Sequence, residues 1–245
     1  MVRTVDYQTR RRAVLAATIE RYIKDASPVA SEDVAGEFAL SPASIRKIFM
    51  DLEDEGYLMQ LYTSGGRVPT AKGYRYYVDF LISQMSLLEE ERERIDSKYR
   101  CQISRLEDVL ENTSQVIAEV THYAGISSFL EWHDRFFYKG ISLVLDQPEF
   151  QDLGKMRFLI RMIEDKERLL NIINRDFAEK VKVYIGDELG CPEMDNYSLA
   201  VSSYRIKDKS CGRVAVLGPM RMEYSHIIPT LDYVSDMLTE TLERI

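Results

Sequence analysis

The segment that begins at Ser41 constrains the fold more than any other part of the chain. Ser41 and Pro42 form a strong helix start, because serine caps the first turn of a helix and proline fits its first position. Gly56 then provides a helix stop. The helix predicted between them, over 42–55, carries its apolar residues on one face at three- and four-residue spacing: Ile45, Ile48, Phe49 and Leu52.

A two-stranded hairpin is predicted directly after this helix. Residues 57–62 and 67–69 have the composition of short strands, and the Thr-Ser-Gly-Gly sequence at 63–66 forms the turn between them. Thr70 is placed to cap the helix that follows.

Two further helices are predicted before Ser41. The first covers 9–25 and stops at Ser27-Pro28, since the residue before a proline is pushed out of the helical region. The second is short, with Ser31 as its N-cap and Val34, Ala35 and Phe38 on its buried side. Three short helices followed by a hairpin are the element order of a winged helix-turn-helix, in which the third helix enters the major groove of DNA.

The charged residues are unevenly distributed along the chain. A net charge of −8 over 245 residues argues against DNA binding, because such domains usually present a basic surface. However, residues 1–80 contain 11 basic and 11 acidic residues, so the acidic excess lies entirely after residue 80. A neutral domain can still bind phosphates when its basic groups share a face.

The third helix and the hairpin supply the candidate DNA contacts. Arg46 and Lys47 are expected to reach phosphates and base edges from the first turns of the helix, and Arg67 is expected at the wing tip. The alternative is that Arg46 and Lys47 only solvate an exposed helix face, as charged residues often do. The helix order and the Gly-Gly-Arg wing favour DNA binding. The predicted site is Ser41, Ser44, Arg46, Lys47, Met50, Ser64, Arg67, Lys72 and Arg75.

The helical pattern continues beyond the hairpin. It runs from Thr70 to about Leu88, passes a charged segment at 89–94 and becomes an apolar stripe that reaches residue 121. A stripe of this kind packs either on a partner chain across a dimer or on the second domain of its own chain. The pattern leaves both possibilities open.

The rest of the chain mixes helix and strand, so the predicted fold class is α+β. The last two predicted strands are expected to form an antiparallel hairpin, with turns at 186–188 and 207–209 between the strand segments. The predicted elements are a helix over 150–174, strands over 181–185, 197–206 and 213–217, and a closing helix over 225–243.

Several motifs spread along the chain resemble the heat-inducible transcription repressor HrcA family. The most specific is the run from the wing into the next helix, Thr-Ser-Gly-Gly-Arg-Val-Pro-Thr at 63–70 followed by Lys-Gly-Tyr-Arg-Tyr-Tyr-Val-Asp at 72–79. Other matching segments are 28–31, 40–46, 51–58, 147–152, 183–186 and 212–224.

The resemblance implies a domain organisation and a function. It implies a winged-helix DNA-binding domain over 1–84, a helical connector over 85–124 and a GAF-like regulatory and dimerisation domain over 125–245. It also implies repression of chaperone genes by a homodimer on an inverted-repeat operator, release on heat stress, and a GroE-type chaperonin that keeps the repressor active.

The chain departs from the family pattern at Lys47, Ile48, Tyr62 and Gly65 and in its length, and two of these departures bear on function. Lys47 stands where family members commonly have Asn; a lysine contacts phosphate or guanine but cannot reproduce the pairing of Asn with adenine. The operator sequence therefore does not follow from the resemblance. Family members are also longer, with an inserted dimerisation segment and more sheet before the Pro-Glu-Phe motif. Only residues 121–145 occupy that region here, which predicts that this chain lacks the insertion.

No catalytic, metal or cofactor site is predicted. His122, His133 and His226 are isolated in sequence, and Gly65-Gly66 is not followed by the Lys-Ser/Thr of a phosphate loop. Glu149 and Asp152 are better explained as acidic residues at the start of a helix than as an acid–base catalytic pair. A structural role is the favoured interpretation of Cys191 and Cys211, and core packing is favoured over a ligand pocket for the aromatic residues Trp132, Phe136, Phe137 and Tyr138.

The predicted location is the cytoplasm. No segment approaches the roughly 18 consecutive apolar residues of a membrane helix, the N-terminus has no apolar signal core, and three widely spaced cysteines fit a reducing compartment. The leading hypothesis is a DNA-binding repressor. The alternatives are a winged-helix regulator that responds to a small ligand in its C-terminal domain, and a winged-helix module that binds protein.

Overall fold

The chain divides into two compact units, Met1–Phe80 and Leu81–Ile245. The computed structural model describes residues 7–61, 66–83, 89–99, 106–132, 135–206 and 209–244. No helix within these ranges is long and apolar enough to cross a membrane.

The first unit contains helices that pack around one small core and a two-stranded hairpin. Its elements are α1 Tyr7–Asp25, α2 Ser31–Ala35, α3 Pro42–Asp54, β1 Leu58–Gln60, β2 Arg67–Pro69 and α4 Ala71–Ile82, which continues past the unit boundary. The strands are antiparallel, with Met59 opposite Val68. This is the element order of a winged helix-turn-helix, as predicted.

Helix α3 forms as the sequence predicts. The Ser41 hydroxyl accepts a hydrogen bond from the Ser44 N–H at 3.2 Å, and proline occupies the first turn. The four residues of the predicted apolar face are all buried: Ile45, Ile48, Phe49 and Leu52. Gly56 follows the helix with a φ of 76°, in the left-handed region that glycine adopts without strain.

Thr70 caps α4, also as predicted. Its Oγ1 accepts a hydrogen bond from the Gly73 N–H at 3.1 Å and donates to the Gly56 carbonyl at 2.6 Å. The cap therefore joins the end of α3 to the start of α4.

The prediction that Ser31 caps α2 is wrong. Ala30 is the N-cap, and Ser31 is the first helical residue and is buried. The Asp33 carboxylate accepts the Ala30 N–H at 2.8 Å, which is the hydrogen bond from the third helical position back to the N-cap that occurs in a capping box.

The second unit is a five-stranded antiparallel sheet between helices. Its strand order is β4-β3-β7-β6-β5, so the long strand β7 is central. The elements are α5 Glu89–Tyr99, α6 Leu106–Thr121, β3 Ala124–Phe129, β4 Phe136–Lys139, α7 Ile141–Leu145, α8 Leu153–Glu164, α9 Lys166–Ile173, β5 Val181–Ile185, β6 Tyr197–Ile206, β7 Lys209–Pro219 and α10 Tyr224–Leu242.

Both faces of this sheet are covered. Helices α6 and α10 pack against the sheet, and the opposite face forms a core with α8 and α9. Sheet residues of that second core include Ile126, Val201 and Ala215, which lie opposite one another on β3, β6 and β7. The predicted α+β fold, with a C-terminal domain of sheet and helices, is confirmed. The GAF-like type of that domain stays a prediction.

Two predictions in this unit need correction. The helix expected over 150–174 is interrupted at Asp165, whose carboxylate accepts the Arg168 N–H at 3.2 Å and so starts α9 as a new helix. The strands β3 and β4 lie within 121–145, where no strand was predicted. Of the turn expected at 207–209, residues 207–208 lie outside the described ranges, and Lys209 begins β7.

Gly125 permits the closest contact between α6 and the sheet. A Cβ at this position would lie 2.3 Å from the Ser114 carbonyl oxygen and 2.8 Å from the Ala118 nitrogen, both of which belong to α6. The helix backbone can therefore lie directly on β3 only because no side chain separates them.

We expect Gly125→Ala to lower the free energy of unfolding by about 1–3 kcal/mol, because α6 must move away from the sheet. Urea denaturation followed by circular dichroism measures the change. Gly36→Ala is the matched control, since its added Cβ has no heavy atom within 4 Å. Equal stability of the two variants would contradict this account of the packing.

Candidate nucleic-acid interface

The outer face of α3 presents three large side chains to solvent. Met50 is 58% exposed, the Arg46 side chain is 62% exposed, and Lys47 is also exposed. These residues lie on the side of α3 that does not carry Ile45 and Leu52, since the helix buries that side. The two predicted basic contacts on α3 are therefore accessible.

The Arg46 guanidinium has one nearby carboxylate. Its Nη2 lies 2.9 Å from Oε1 of Glu32, whose own side chain is 65% exposed. An ion pair this exposed contributes only about 0–1 kcal/mol, so a phosphate can replace the carboxylate at little cost. Among the residues that the structure describes, Lys47 has no ion-pair partner.

A groove of about 410 Å³ separates the α2–α3 region from the hairpin. Arg46 and Met50 line it from α3, Glu32 from α2, and Gln60 and Arg67 from the strands. The groove brings part of the predicted site together.

Ser41 and Ser44 lie at the start of α3, where their hydroxyl oxygens are 2.9 Å apart. The Ser41 oxygen already accepts the Ser44 N–H as the helix cap. Ser41 thus has a structural role whether or not it contacts a ligand.

The structure does not place Arg67 at the wing tip. It is the first residue of β2, its side chain is 15% exposed, and its Nη2 lies 2.9 Å from Oε2 of Glu53 on α3. Its backbone forms two hydrogen bonds with Val29, of 2.8 and 2.9 Å. The residue is drawn inward because Glu53 offers its guanidinium a half-buried carboxylate. Ser64, the other predicted wing residue, lies outside the described ranges.

Lys72 and Arg75 lie on α4 and do not line the groove. The Lys72 ammonium donates to the Glu55 carbonyl at 2.7 Å and lies 4.6 Å from the centre of the Tyr57 ring. Arg75 pairs with Asp79, with Nε and Oδ1 3.5 Å apart. Lys72 therefore neutralises the carboxyl end of α3, as cations at helix ends do.

Two contacts that the sequence did not suggest fix α1 against α3. Tyr7 donates a hydrogen bond to the Asp51 carboxylate, and Arg11 pairs with Glu55. One member of the Arg10–Arg12 run is therefore used within the fold. Nothing in the local sequence could have indicated these pairs, because their members are 44 positions apart.

The residues considered for chemistry in the second unit have structural partners. Asp152 caps α8 by accepting the Gly154 and Lys155 N–H groups, at 2.8 and 3.2 Å, and Glu149 pairs with Arg221. His226 lies 3.1 Å from Glu91. No group of three or more potential metal ligands occurs among the described residues.

The aromatic cluster after β3 divides between core and surface. Phe136 is buried in the core, as predicted, whereas Tyr138 is 44% exposed. Trp132 packs edge-on against Phe129 and Phe137, with ring centres 5.3 and 6.2 Å apart. Cys191 is buried, Cys211 is partly buried, and both are free thiols.

The chain is similar to proteins of one known family. Residues 126–228 match the profile described as HrcA protein C terminal domain. A heat-inducible transcription repressor HrcA of Geobacter sulfurreducens is 28% identical over 338 aligned positions that cover 97% of this chain and 99% of the relative. A protein of the same name from Desulforudis audaxviator is 27% identical, covering 96% of this chain and 98% of the relative. The chain is therefore similar to HrcA repressors over nearly its whole length.

The alignments also show that this chain is shorter than these relatives. They extend over 338 positions, whereas the chain has 245 residues, so the relatives contain residues that this chain lacks. A crystal structure of a hypothetical protein has the same fold, with a TM-score of 0.80 and 18% identity, covering 96% of this chain and 98% of that chain.

Replacement of the α3 cap tests the framework of the interface. We expect Ser41→Ala to lower the free energy of unfolding of the first unit by about 1 kcal/mol, because the Ser44 N–H loses its acceptor. Thermal unfolding followed by circular dichroism measures the loss. Ser27→Ala, at an exposed position between α1 and α2, is expected to leave stability unchanged. A Ser41→Ala protein as stable as this control would show that the cap contributes nothing.

Proposed function

We propose that this HrcA-like chain is a transcription repressor that binds an inverted-repeat operator as a homodimer, with α3 in the major groove. The observation that carries the proposal is the exposed α3 face with Arg46, Lys47 and Met50, on a helix whose opposite face is buried. Relatives over nearly the full chain are named heat-inducible transcription repressors.

The proposed contacts fall into three kinds. Arg46 and Lys47 contact phosphates and guanine edges, and Met50 packs against base edges in the groove. Ser41 and Ser44 lie where the helix start approaches a phosphate. Arg67 has an indirect role, because its ion pair with Glu53 holds β2 against α3 and so fixes the position of the wing base. Ser64 remains a candidate contact at the wing, and Lys72 and Arg75 remain candidates at its side.

The domain assignment is part of the proposal. Residues 1–84 form the DNA-binding domain, 85–124 the helical connector and 125–245 the regulatory and dimerisation domain. Two copies of α3 then read two half-sites, so that the symmetry of the operator matches that of the protein. The protein acts in the cytoplasm and is not an enzyme.

Heat release follows from the stability of the folded state. A repressor of marginal stability loses its operator-competent form on heating, and a GroE-type chaperonin replenishes the folded pool. The names of the relatives support heat induction. Measuring operator binding by the purified protein at rising temperature tests the release, and unchanged affinity across the heat-shock range would contradict it.

Substitutions on α3 test the DNA interface. We expect Arg46→Ala and Lys47→Ala each to weaken operator binding by roughly ten- to a hundredfold, and a phosphate contact, when lost, to reduce the salt slope by about 1. Fluorescence anisotropy with operator DNA at several salt concentrations measures both quantities. Lys24→Ala, an exposed cation at the end of α1, is the control.

The same titration separates the alternatives. Unchanged affinity in both α3 variants would overturn the site assignment. Failure of the wild-type protein to bind duplex DNA with steep salt dependence would favour a winged-helix module that binds protein.

Removal of the Glu32 carboxylate should strengthen DNA binding. In the structure this carboxylate pairs with Arg46 and competes with phosphate for the same guanidinium. We expect Glu32→Gln to raise operator affinity by about two- to fivefold, the range that corresponds to an exposed ion pair. Glu37→Gln, at an exposed position just after α2, is the matched control in the same anisotropy assay. A lower affinity in Glu32→Gln would mean that Glu32 orients Arg46 for DNA.

A further inference from the structure

Arg213 is a fully buried arginine near one end of the second unit's sheet. It lies on the central strand β7, opposite Ser128 of β3 and Ser203 of β6, and its exposure is 0%. It shares the strand face of Ala215 and Leu217, which pack into the core with α8 and α9. Arginine almost never occupies such a position without a partner for its charge.

The Arg213 guanidinium has no hydrogen-bond acceptor within the described part of the chain. Its Nε, Nη1 and Nη2 atoms are all buried and all lack one. The ring of Phe177 covers the group, with its centre 4.2 Å from Cζ. Burial lowers the pKa of Arg213, which reflects the free-energy cost of holding this cation away from water.

The nearest carboxylate is engaged elsewhere. Asp176 accepts a hydrogen bond from the Lys182 ammonium through Oδ2 and from the Ala178 N–H, at 2.9 Å, through Oδ1. The hydrogen bond from Lys182 is the main reason that the pKa of Asp176 is lowered. Asp176 therefore contributes to the local potential without providing the hydrogen bonds that Arg213 lacks.

A second buried polar group lies beside Arg213. The hydroxyl of Tyr184 on β5 is buried and has no hydrogen-bond partner among the described residues. Tyr184 lies close enough to the guanidinium to raise the pKa of Arg213 against the larger effect of burial, as Asp176 also does, although the hydroxyl and the guanidinium do not reach hydrogen-bond geometry. Within the described residues, the Arg213 guanidinium therefore lacks a hydrogen-bond acceptor, and the Tyr184 hydroxyl beside it lacks any hydrogen-bond partner.

The surrounding charge is more positive than the unit as a whole. Arg175 lies 5.5 Å from the centre of the Tyr184 ring, and its donors bind the carbonyl oxygens of Glu188 and Leu189, each at 2.7 Å. No described residue forms an ion pair with it. Lys182 lies 5.8 Å from the same ring, but its charge is balanced by Asp176, so Arg213 and Arg175 supply the positive excess. This positive region stands within a part of the chain that holds the entire acidic excess. An anion would therefore be attracted to it.

We propose that Arg213 and Tyr184 bind the carboxylate of a small organic acid. The planar guanidinium fork matches a carboxylate in a bidentate arrangement, and the tyrosine hydroxyl adds a third donor. The rings of Phe177 and Tyr184 contact the apolar part of the acid. Phe177 belongs to residues 174–180, which contain no helix or strand, so its ring can turn away from Arg213 without breaking either.

Thermal unfolding of the full chain tests the site. Sodium acetate, sodium benzoate and sodium phosphate are added at ionic strength matched with sodium chloride. We expect a carboxylate to raise the Tm of the wild-type protein in a concentration-dependent way, by about 5 °C at a concentration a hundredfold above Kd. Arg213→Met should abolish this rise, and its Tm in chloride alone should equal or exceed that of the wild type, because an unsatisfied buried cation has been removed.

Two variants keep the test decisive. Arg205→Met, at an exposed position on β6, should keep the full carboxylate response. If Arg213→Met does not fold, Tyr184→Phe removes only the hydroxyl and should weaken the response by roughly tenfold in Kd. The proposal is overturned if no carboxylate raises the wild-type Tm, if phosphate alone does so, or if the Arg213→Met or Tyr184→Phe protein responds as the wild type does.

Discussion

The helical period of α3 determines which of its side chains face the core and which face solvent, and the candidate DNA interface depends on that division. Burial of Ile45, Ile48, Phe49 and Leu52 leaves Arg46, Lys47 and Met50 outside. Successive residues of an α-helix differ by about 100° around the axis, so a shift of the pattern by one position would bury a charge and expose an apolar side chain. The fold of the first unit and its proposed function therefore share one constraint.

Local signals in the sequence were sufficient for most of the helices. The caps at Ser41 and Thr70, the stop at Gly56 and the apolar face of α3 all depend on residues within a few positions of one another. The exposed placement of Arg46 and Lys47 was predictable for the same reason. For the second unit, the mixed pattern of the sequence predicted the α+β class, and the expectation of a GAF-like type came from the family resemblance alone.

The remaining features depend on contacts between distant residues. Arg67 is drawn to Glu53, 14 positions earlier, and Arg11 to Glu55, 44 positions later. The spacing of apolar residues along a helix or strand gives no information about such pairs. The strands β3 and β4 were missed because their sequence is rich in small and aromatic residues without clear alternation, and their strand geometry is stabilised by pairing with β7.

The ion pair between Arg67 and Glu53 has a mechanical consequence. It joins the base of the hairpin to the last turn of α3 through two contacts, of 2.9 and 3.0 Å, at a largely buried guanidinium. These contacts hold the helix and the wing base at one distance from each other. If the protein binds an operator as proposed, a duplex whose groove is too wide or too narrow must deform to meet both, and its bending energy then contributes to the choice of operator even at base pairs that no side chain touches.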